Sequence, residues 1–565
     1  MSRLFYAFIA VIIAGCAAQA DMTMEQKRKA LFDGTASYKL ALPFEAFAMP
    51  DGATAPSSEI QGTLKLDMMA LGGGFQLLRD GYKVVKPQNR IKDLPPFEFS
   101  YVQSGNRLLP VQTGIIETDH PYFEWMLSAG RTWMGDQGER YLSVPFALLE
   151  KNANCVHNGA LMVRLSADGK TSNALLQIGS ETCQYLQFNF WAVYPASWQT
   201  KSDLTLPPAA KAPFPFKDIS ALSVDYPGFQ TDRLAQPEII SPFTMTAYGV
   251  VLNGNHYGAA CGTRMGPYPF CDDMVIPSYS LAKSLAGGMG LMALEKNFPG
   301  VSNALITDYV PECQGKQWRG ITFENALDMT TGNYKSSKPH VDEGAAYFVL
   351  FFDGKTSAEK TKFSCTEFKR RSKPGKKWVY HTSDTYLAGV AMNGYLKAHG
   401  NEKTDYYRDF LGPVWQELGL SPLSADIRRT VGNNPAPFSG YGMYLHRDDI
   451  AKIGAALADP NHKIQGYFDN NMLDSALQRT PSDRGLKAGG KDLKYQNGFW
   501  AWNAQKSLGC KDPTWLPFFS GYGGITVVML PGGNMFYYVS DSGVHAFAGP
   551  VKALSDITPV CGENK

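Results

Sequence analysis

The chain has 565 residues, of which 44% are hydrophobic and 19% charged, and a formal net charge of +2. This length predicts two to four domains, and the composition is that of a globular chain, not a disordered one. A near-neutral charge with no long Lys/Arg block excludes an electrostatic case for nucleic acid or an acidic partner, and no period of roughly 20 to 50 residues marks a repeat architecture.

Residues 1–20 read as a signal peptide. Arg3 precedes an apolar run over residues 4–14, too short to span a bilayer as a mature helix. Ala18-Gln19-Ala20 fits a signal-peptidase site and would start the mature chain at Asp21. Ile13-Ala14-Gly15-Cys16 also resembles a bacterial lipobox, in which Cys16 would carry a lipid anchor; the soluble form is the preferred one. No later stretch approaches about 18 uninterrupted apolar residues, so no transmembrane span is expected. The expected location is periplasmic or secreted.

Cysteine usage agrees with export. Without Cys16, eight remain: Cys155, Cys183, Cys261, Cys271, Cys313, Cys365, Cys510 and Cys561. An even number in an exported chain reads as disulfides. Pairing sequence neighbours gives 155–183, 261–271, 313–365 and 510–561, one of about 105 connectivities.

Residues 21–205 predict a mainly β accessory domain. A short helix over 24–31 is followed by strand-like runs at 62–67, 97–102, 160–165, 174–178 and 186–194. Several of them alternate apolar and polar side chains. Ala167-Asp168-Gly169 is a hairpin turn, and Cys155 and Cys183 flank that hairpin. No chemical motif falls here, which leaves a scaffold or recognition role. Residues 206–242 read as a linker, because its first part is Pro-rich and extended.

Residues 243–565 predict a second domain. Strands at 246–252 and 256–261 around Asn253-Gly254 form a hairpin. A helix starts near Ser280, with Leu281, Leu285, Met289 and Met292 at spacings of three and four. Gly287-Gly288 should weaken it by roughly 1 kcal/mol per glycine relative to alanine. A helix over 321–332 would use Thr322 as N-cap and Gly332 as its stop. Residues 335–378 read as polar and irregular. A helix near Asp384, helices at 405–418 and 446–457, and strands at 498–502, 524–531 and 534–540 complete the chain. Strands, then helices, then strands predict a mixed α/β (α+β) domain with an antiparallel sheet.

The chemistry-bearing stretch is 276–296. Ser280 and Lys283 stand one helical turn apart on one face. A serine hydroxyl needs an adjacent base, and a lysine whose pKa is lowered by burial can be one. The spacing alone is not specific: Ser280 could be an ordinary N-cap, and Ser-x-x-Lys recurs at Ser357–Lys360, in a polar run that reads as a solvated loop. The nine histidines offer no zinc-type pair, so no metal is expected. Trp500, Trp502 and Trp515 read as core or pocket wall.

Further motifs follow in order. They are Tyr309-Val-Pro-Glu312, Leu327-Asp-Met-Thr-Thr-Gly332, Tyr380-His-Thr382-Ser383-Asp384, His446-Arg-Asp-Asp449 and Gly521-Tyr522-Gly523-Gly524 before a strand. Together with Ser280-Leu-Ala-Lys283, this series resembles the serine β-lactamase-like hydrolases: penicillin-binding proteins, class C β-lactamases, related esterases and 6-aminohexanoate-dimer hydrolases. The resemblance spans roughly residues 243–550. It implies a β-lactamase/transpeptidase-like domain and acyl transfer on a small-molecule or peptide-like ester or amide, with no cofactor. Ser280 would be the nucleophile, Lys283 its base, and Tyr380 a proton relay whose pKa the lysine lowers. The Ser280 N–H and that of Tyr522, or of Gly523 one residue on, would form the oxyanion hole, and Thr382 would face the substrate. The third motif lacks the lysine of Lys-Thr-Gly, which argues against a D,D-peptidase or β-lactamase and towards an esterase or amidase. The alternatives are such a penicillin-recognising enzyme, or a non-catalytic cell-envelope binding or sensor protein on the same fold.

Overall fold

A computed structural model describes residues 23–205, 212–400 and 404–561. The expected leader, the Cys16 anchor and part of the Pro-rich stretch lie outside the described residues.

Two large sheets carry the molecule. The first is an eleven-stranded antiparallel sheet built from strands between Gln61–Leu66 and Ala196–Thr200. Its longest strand, Arg140–Glu150, escaped the sequence reading because nearly every residue is buried, so the alternation that marks a half-exposed strand is missing. Gly72–Asp80 escaped it for the opposite reason. It is a mostly exposed edge strand that opens on three glycines, paired to Leu186–Tyr194.

The second sheet has nine strands. From edge to edge they are Phe216–Asp218, Asn255–Gly258, Met245–Leu252, Asn534–Ser540, Ile525–Leu530, Trp515–Gly521, Phe499–Asn503, Leu493–Gln496 and Leu486–Lys487. All pairings are antiparallel except the first. Phe216–Asp218 falls within the stretch read as linker. The Asn253-Gly254 turn has positive φ at both residues, as a two-residue hairpin requires. Helix Arg447–Ala458 packs on the two central strands, and helix Thr382–Ala398 packs on Ile306–Tyr309 and Phe323–Leu327. This is the mixed antiparallel-sheet-and-helix architecture expected from the order of elements.

Three local expectations are corrected. The helix capped by Thr322 ends at Leu327, well short of Gly332, because Met329 takes a left-handed φ of 53°. The irregular region 335–378 contains helices Val349–Asp353 and Ser357–Thr366. Lys360 is therefore not solvated. It is buried, donating to Phe351 O at 2.8 Å, Phe352 O at 3.3 Å and the Tyr441 hydroxyl at 3.0 Å. Those acceptors account for it as a packed, satisfied amine.

The helix after Ser280 is not a regular α-helix either. Residues 283–288 form a π-helical turn before the α-helix Met289–Asn297. This explains the paired glycines. A Cβ on Gly288 would lie 2.5 Å from Asn497 O, so the widened turn needs a bare backbone to pack on the loop before Phe499–Asn503.

The sheets are not separate bodies on a tether. One apolar cluster joins Phe44, Trp133 and Met162 of the first region to Phe270, Ile276 and Leu281 of the second. Buried Glu124 pairs with Arg428 at 2.7 Å, and Tyr268 donates to Gly159 O at 2.7 Å. All four sequence-neighbour cysteine pairs are joined as disulfides. Among the described residues, no helix is long and apolar enough to cross a membrane.

Candidate active site

Three sequence-distant elements meet at Ser280. The short strand Ile276–Pro277 pairs with Tyr444–Leu445 and aims the chain at the helix start. Tyr279 then adopts a left-handed φ of 42°, a conformation that costs a non-glycine residue about 1–3 kcal/mol. This bend leaves the Ser280 side chain partly exposed at the head of the helix.

Lys283 Nζ lies 3.0 Å from Ser280 Oγ, and the Tyr380 hydroxyl lies 2.7 Å from the same oxygen. The lysine also donates to Thr382 Oγ1 at 2.8 Å and to Gly440 O at 3.0 Å, and sits 4.8 Å from the Tyr380 ring centroid. Burial lowers the Lys283 pKa to about 8, against a smaller upward pull from Glu343. At neutral pH an accessible share of this amine is unprotonated, which an exposed lysine does not offer. The expectation for Tyr380 is corrected in direction. Burial and the Glu343 carboxylate raise its pKa, outweighing its hydrogen bonds to Ser280 and Thr382, so it is a neutral phenol.

Glu343 was not foreseen from sequence. Its carboxylate accepts the Thr382 N–H at 2.9 Å and pairs with the Thr382 hydroxyl, closing a chain Lys283–Thr382–Glu343. It also satisfies a free N–H at the start of helix Thr382–Ala398, where the helix dipole favours an anion. Burial raises its pKa, with Lys283 and Thr382 opposing. Next to it, His381 is fully buried between Asp342, at 3.1 Å, and Asp384, at 3.6 Å. Burial disfavours its charge, but the two neighbouring carboxylates outweigh burial and raise its pKa to about 9. Glu343 lies in a polar stretch without motif, 39 residues from Thr382, so only the fold reveals the contact.

The Gly521–Gly524 segment is the turn between strands Trp515–Gly521 and Ile525–Leu530. It backs onto the bend before Ser280: a Cβ on Gly521 would lie 2.9 Å from both Ser278 O and Leu281 Cδ1. Gly521→Val is therefore expected to push this turn off the Ser280 loop, lowering both thermal stability and reactivity of Ser280, read by calorimetry and by labelling rate. Tyr522 is 42% exposed and its ring meets that of Tyr279 edge-on at 5.6 Å. Thr382 is buried and engaged with Lys283 and Glu343. The rings of His340, Trp378 and Trp500 surround Tyr380, with centroids 5.1, 6.0 and 6.3 Å from it. Trp502 packs instead in an apolar cluster with Leu516 and Phe518.

Away from this site, Glu150, Cys155, His157 and Cys183 are close enough to share one ion, but both sulfurs are committed to their disulfide.

No family model matches the chain, and no curated protein matches it. Among solved structures, it is similar to one described as a 6-aminohexanoate-dimer hydrolase from Bacillus anthracis. Identity there is 14%, over 62% of this chain and 87% of that one, with a TM-score of 0.44. It is also similar to a class C beta-lactamase, at 15% identity over 58% of this chain and 95% of that one, TM-score 0.40. A class C beta-lactamase in complex with cefoxitin is similar at 15% identity, over 57% and 97%, TM-score 0.39.

Proposed function

We propose that this chain is an exported serine hydrolase that cleaves an ester or amide through an acyl-enzyme on Ser280. One observation carries the reading: Ser280 Oγ sits within hydrogen-bond reach of both a buried, pKa-lowered lysine and a neutral tyrosine. That is the arrangement of a nucleophile with a base and an acid, and a helix cap has no use for it.

Ser280 Oγ attacks the carbonyl carbon and its proton passes to Lys283. The developing oxyanion is held by the Ser280 N–H and by an N–H of the Tyr522–Gly523 turn. Tyr380 gives its proton to the leaving alcohol or amine and recovers one from the Lys283 ammonium. Water then attacks the acyl carbonyl, with the lysine again taking a proton; the C–Oγ bond breaks as Tyr380 protonates Oγ and is reprotonated by the Lys283 ammonium, which releases the acid and restores Ser280 and the neutral amine. Thr382 holds the lysine in place. Aromatic groups around Tyr380 favour a substrate with a flat or apolar portion, and four disulfides support a location outside the cytoplasm.

The test is covalent. Incubation with p-nitrophenyl acetate, followed by acid quench and peptide mass spectrometry, should place one acetyl group on the Ser280 peptide. Release of p-nitrophenol with no adduct there, or no release at all, would count against the reading.

Glu343 adds a signed prediction. Its charge raises the Lys283 pKa, so Glu343→Gln should move the acidic limb of the kcat/KM–pH profile to lower pH. An unmoved limb would mean that the carboxylate is not felt by the base.

A further inference from the structure

The first sheet carries no chemical motif, yet it grips the residue before the nucleophile. Asn154 is buried in the loop between strands Arg140–Glu150 and Val156–Leu165. Its Oδ1 accepts the Tyr279 N–H at 2.6 Å and the Ser278 hydroxyl at 3.4 Å, and its Nδ2 donates to Met443 O at 3.2 Å. Met443 N–H in turn donates to Ser278 Oγ at 3.1 Å, and Ser278 N–H to Met443 O at 2.9 Å. From the far side, the Tyr279 hydroxyl donates to Thr182 O at 2.8 Å. Asn154 precedes Cys155 and Thr182 precedes Cys183, and these two cysteines are bonded to each other. One covalently closed clamp therefore holds Tyr279 by both its backbone and its side chain. Four residues along, Asn158 pairs with Val275 through both amide atoms, at 3.0 and 3.1 Å.

Tyr279 is the residue in the left-handed conformation, and a tyrosine stays there only where its surroundings over-determine it. The clamp supplies that constraint, and it comes from a region far away in sequence.

We infer that Asn154 is a positioning residue for the hydrolytic reaction: through Tyr279 it sets the bend that presents Ser280 Oγ to Lys283 and Tyr380. The first sheet is then a built-in part of the active site, not an appended recognition module. This rests on Ser280 being the nucleophile. Freed from Asn154, Tyr279 relaxes towards ordinary φ, and the Ser280 oxygen leaves its position between the two partners. A displacement of about 1 Å at a nucleophile can cost on the order of 10²-fold in rate.

The experiment compares the full chain with Asn154→Ala, Asn154→Asp and Ser280→Ala. Readouts are kcat and KM for a p-nitrophenyl ester, and the rate at which a fluorophosphonate labels Ser280. Asn154→Ala should lower kcat and labelling rate together by about 10²-fold, with KM little changed. Asn154→Asp keeps the acceptor for the Tyr279 N–H and should recover most of the loss. A purely structural role would lower thermal stability while leaving kcat of the folded fraction intact, and that result overturns the inference. So would an aspartate variant as slow as the alanine one. Should the alanine variant not fold, Asn154→Ser decides in its place: its side chain is too short to reach the Tyr279 N–H, so wild-type kcat there also overturns it. A wild-type chain that neither turns over nor takes label, like Ser280→Ala, removes the reading of Ser280 and the positioning role with it. A labelled wild type with an unaffected Asn154→Ala removes only the positioning role.

Discussion

Ser280→Ala is expected to lower kcat for a short-chain p-nitrophenyl ester by on the order of 10⁴–10⁶-fold, with folding intact by circular dichroism. The size follows from the proposed mechanism: Ser280 Oγ is the partly exposed oxygen within reach of both Lys283 and Tyr380, and removing a nucleophile leaves only the rate supplied by binding and oxyanion stabilisation. The substitution deletes one partly exposed oxygen and opens no core cavity, so stability should change little. Steady-state turnover, with burst-phase release of p-nitrophenol in the wild type, checks it. Wild-type turnover in the alanine variant would place the chemistry elsewhere.

The second large effect belongs to Lys283. Lys283→Met keeps the volume of the stem and removes the amine, and should lower kcat/KM by about 10²–10⁴-fold, the usual weight of a general base. The wild type should also show the base in its pH dependence. The neutral amine is the active form and burial brings its pKa to about 8, so kcat/KM should rise as pH increases through that value and then level. The methionine variant should lose this limb. A stability effect of defined sign accompanies it. The pKa lies below the roughly 10.4 of an unfolded lysine, so between about pH 8 and 10.4 the unfolded state binds more protons. The lysine's penalty on folding is full below pH 8 and fades as pH rises through that window. Urea midpoints of wild type and Lys283→Met, compared at pH 7 and pH 9.5, test this. A wild-type deficit that does not narrow at the higher pH would contradict it.

In the proposed site Glu343 bears on one of the two reacting groups and Asn154 on the other. Glu343 works on the base through Thr382, as an electrostatic influence that a pH profile detects. On the proposed reading Asn154, which accepts the Tyr279 N–H, works on Ser280 as a geometric influence that a rate detects at constant KM. The double variant Glu343→Gln, Asn154→Ala measures their coupling, since the two contacts meet where Lys283 and Ser280 are hydrogen-bonded to each other.

Local order was legible in the chain. Ser280 and Lys283 are one turn apart in the sequence, so a helical turn at that point puts both on one face, although the bend that aims the Ser280 oxygen was not legible there. The Asn253-Gly254 hairpin follows from residues that tolerate positive φ, and the even cysteine count pointed to disulfides, whereas their connectivity is fixed only in the structure. The strand Arg140–Glu150, buried on both faces, carried no alternation and stayed hidden, and the helix Ser357–Thr366 hid in a polar run whose lysine the fold then buries. Contacts across long separations lay beyond any local pattern. Tyr380 reaches Ser280 over 100 residues, Glu343 reaches Thr382 over 39, and Asn154 reaches Tyr279 over 125. The direction of the Tyr380 pKa likewise depends on burial and on a carboxylate brought in by packing. Side-chain type and spacing determine which groups can do chemistry; desolvation, strain and the partners that relieve them exist only once the two sheets have closed around Ser280.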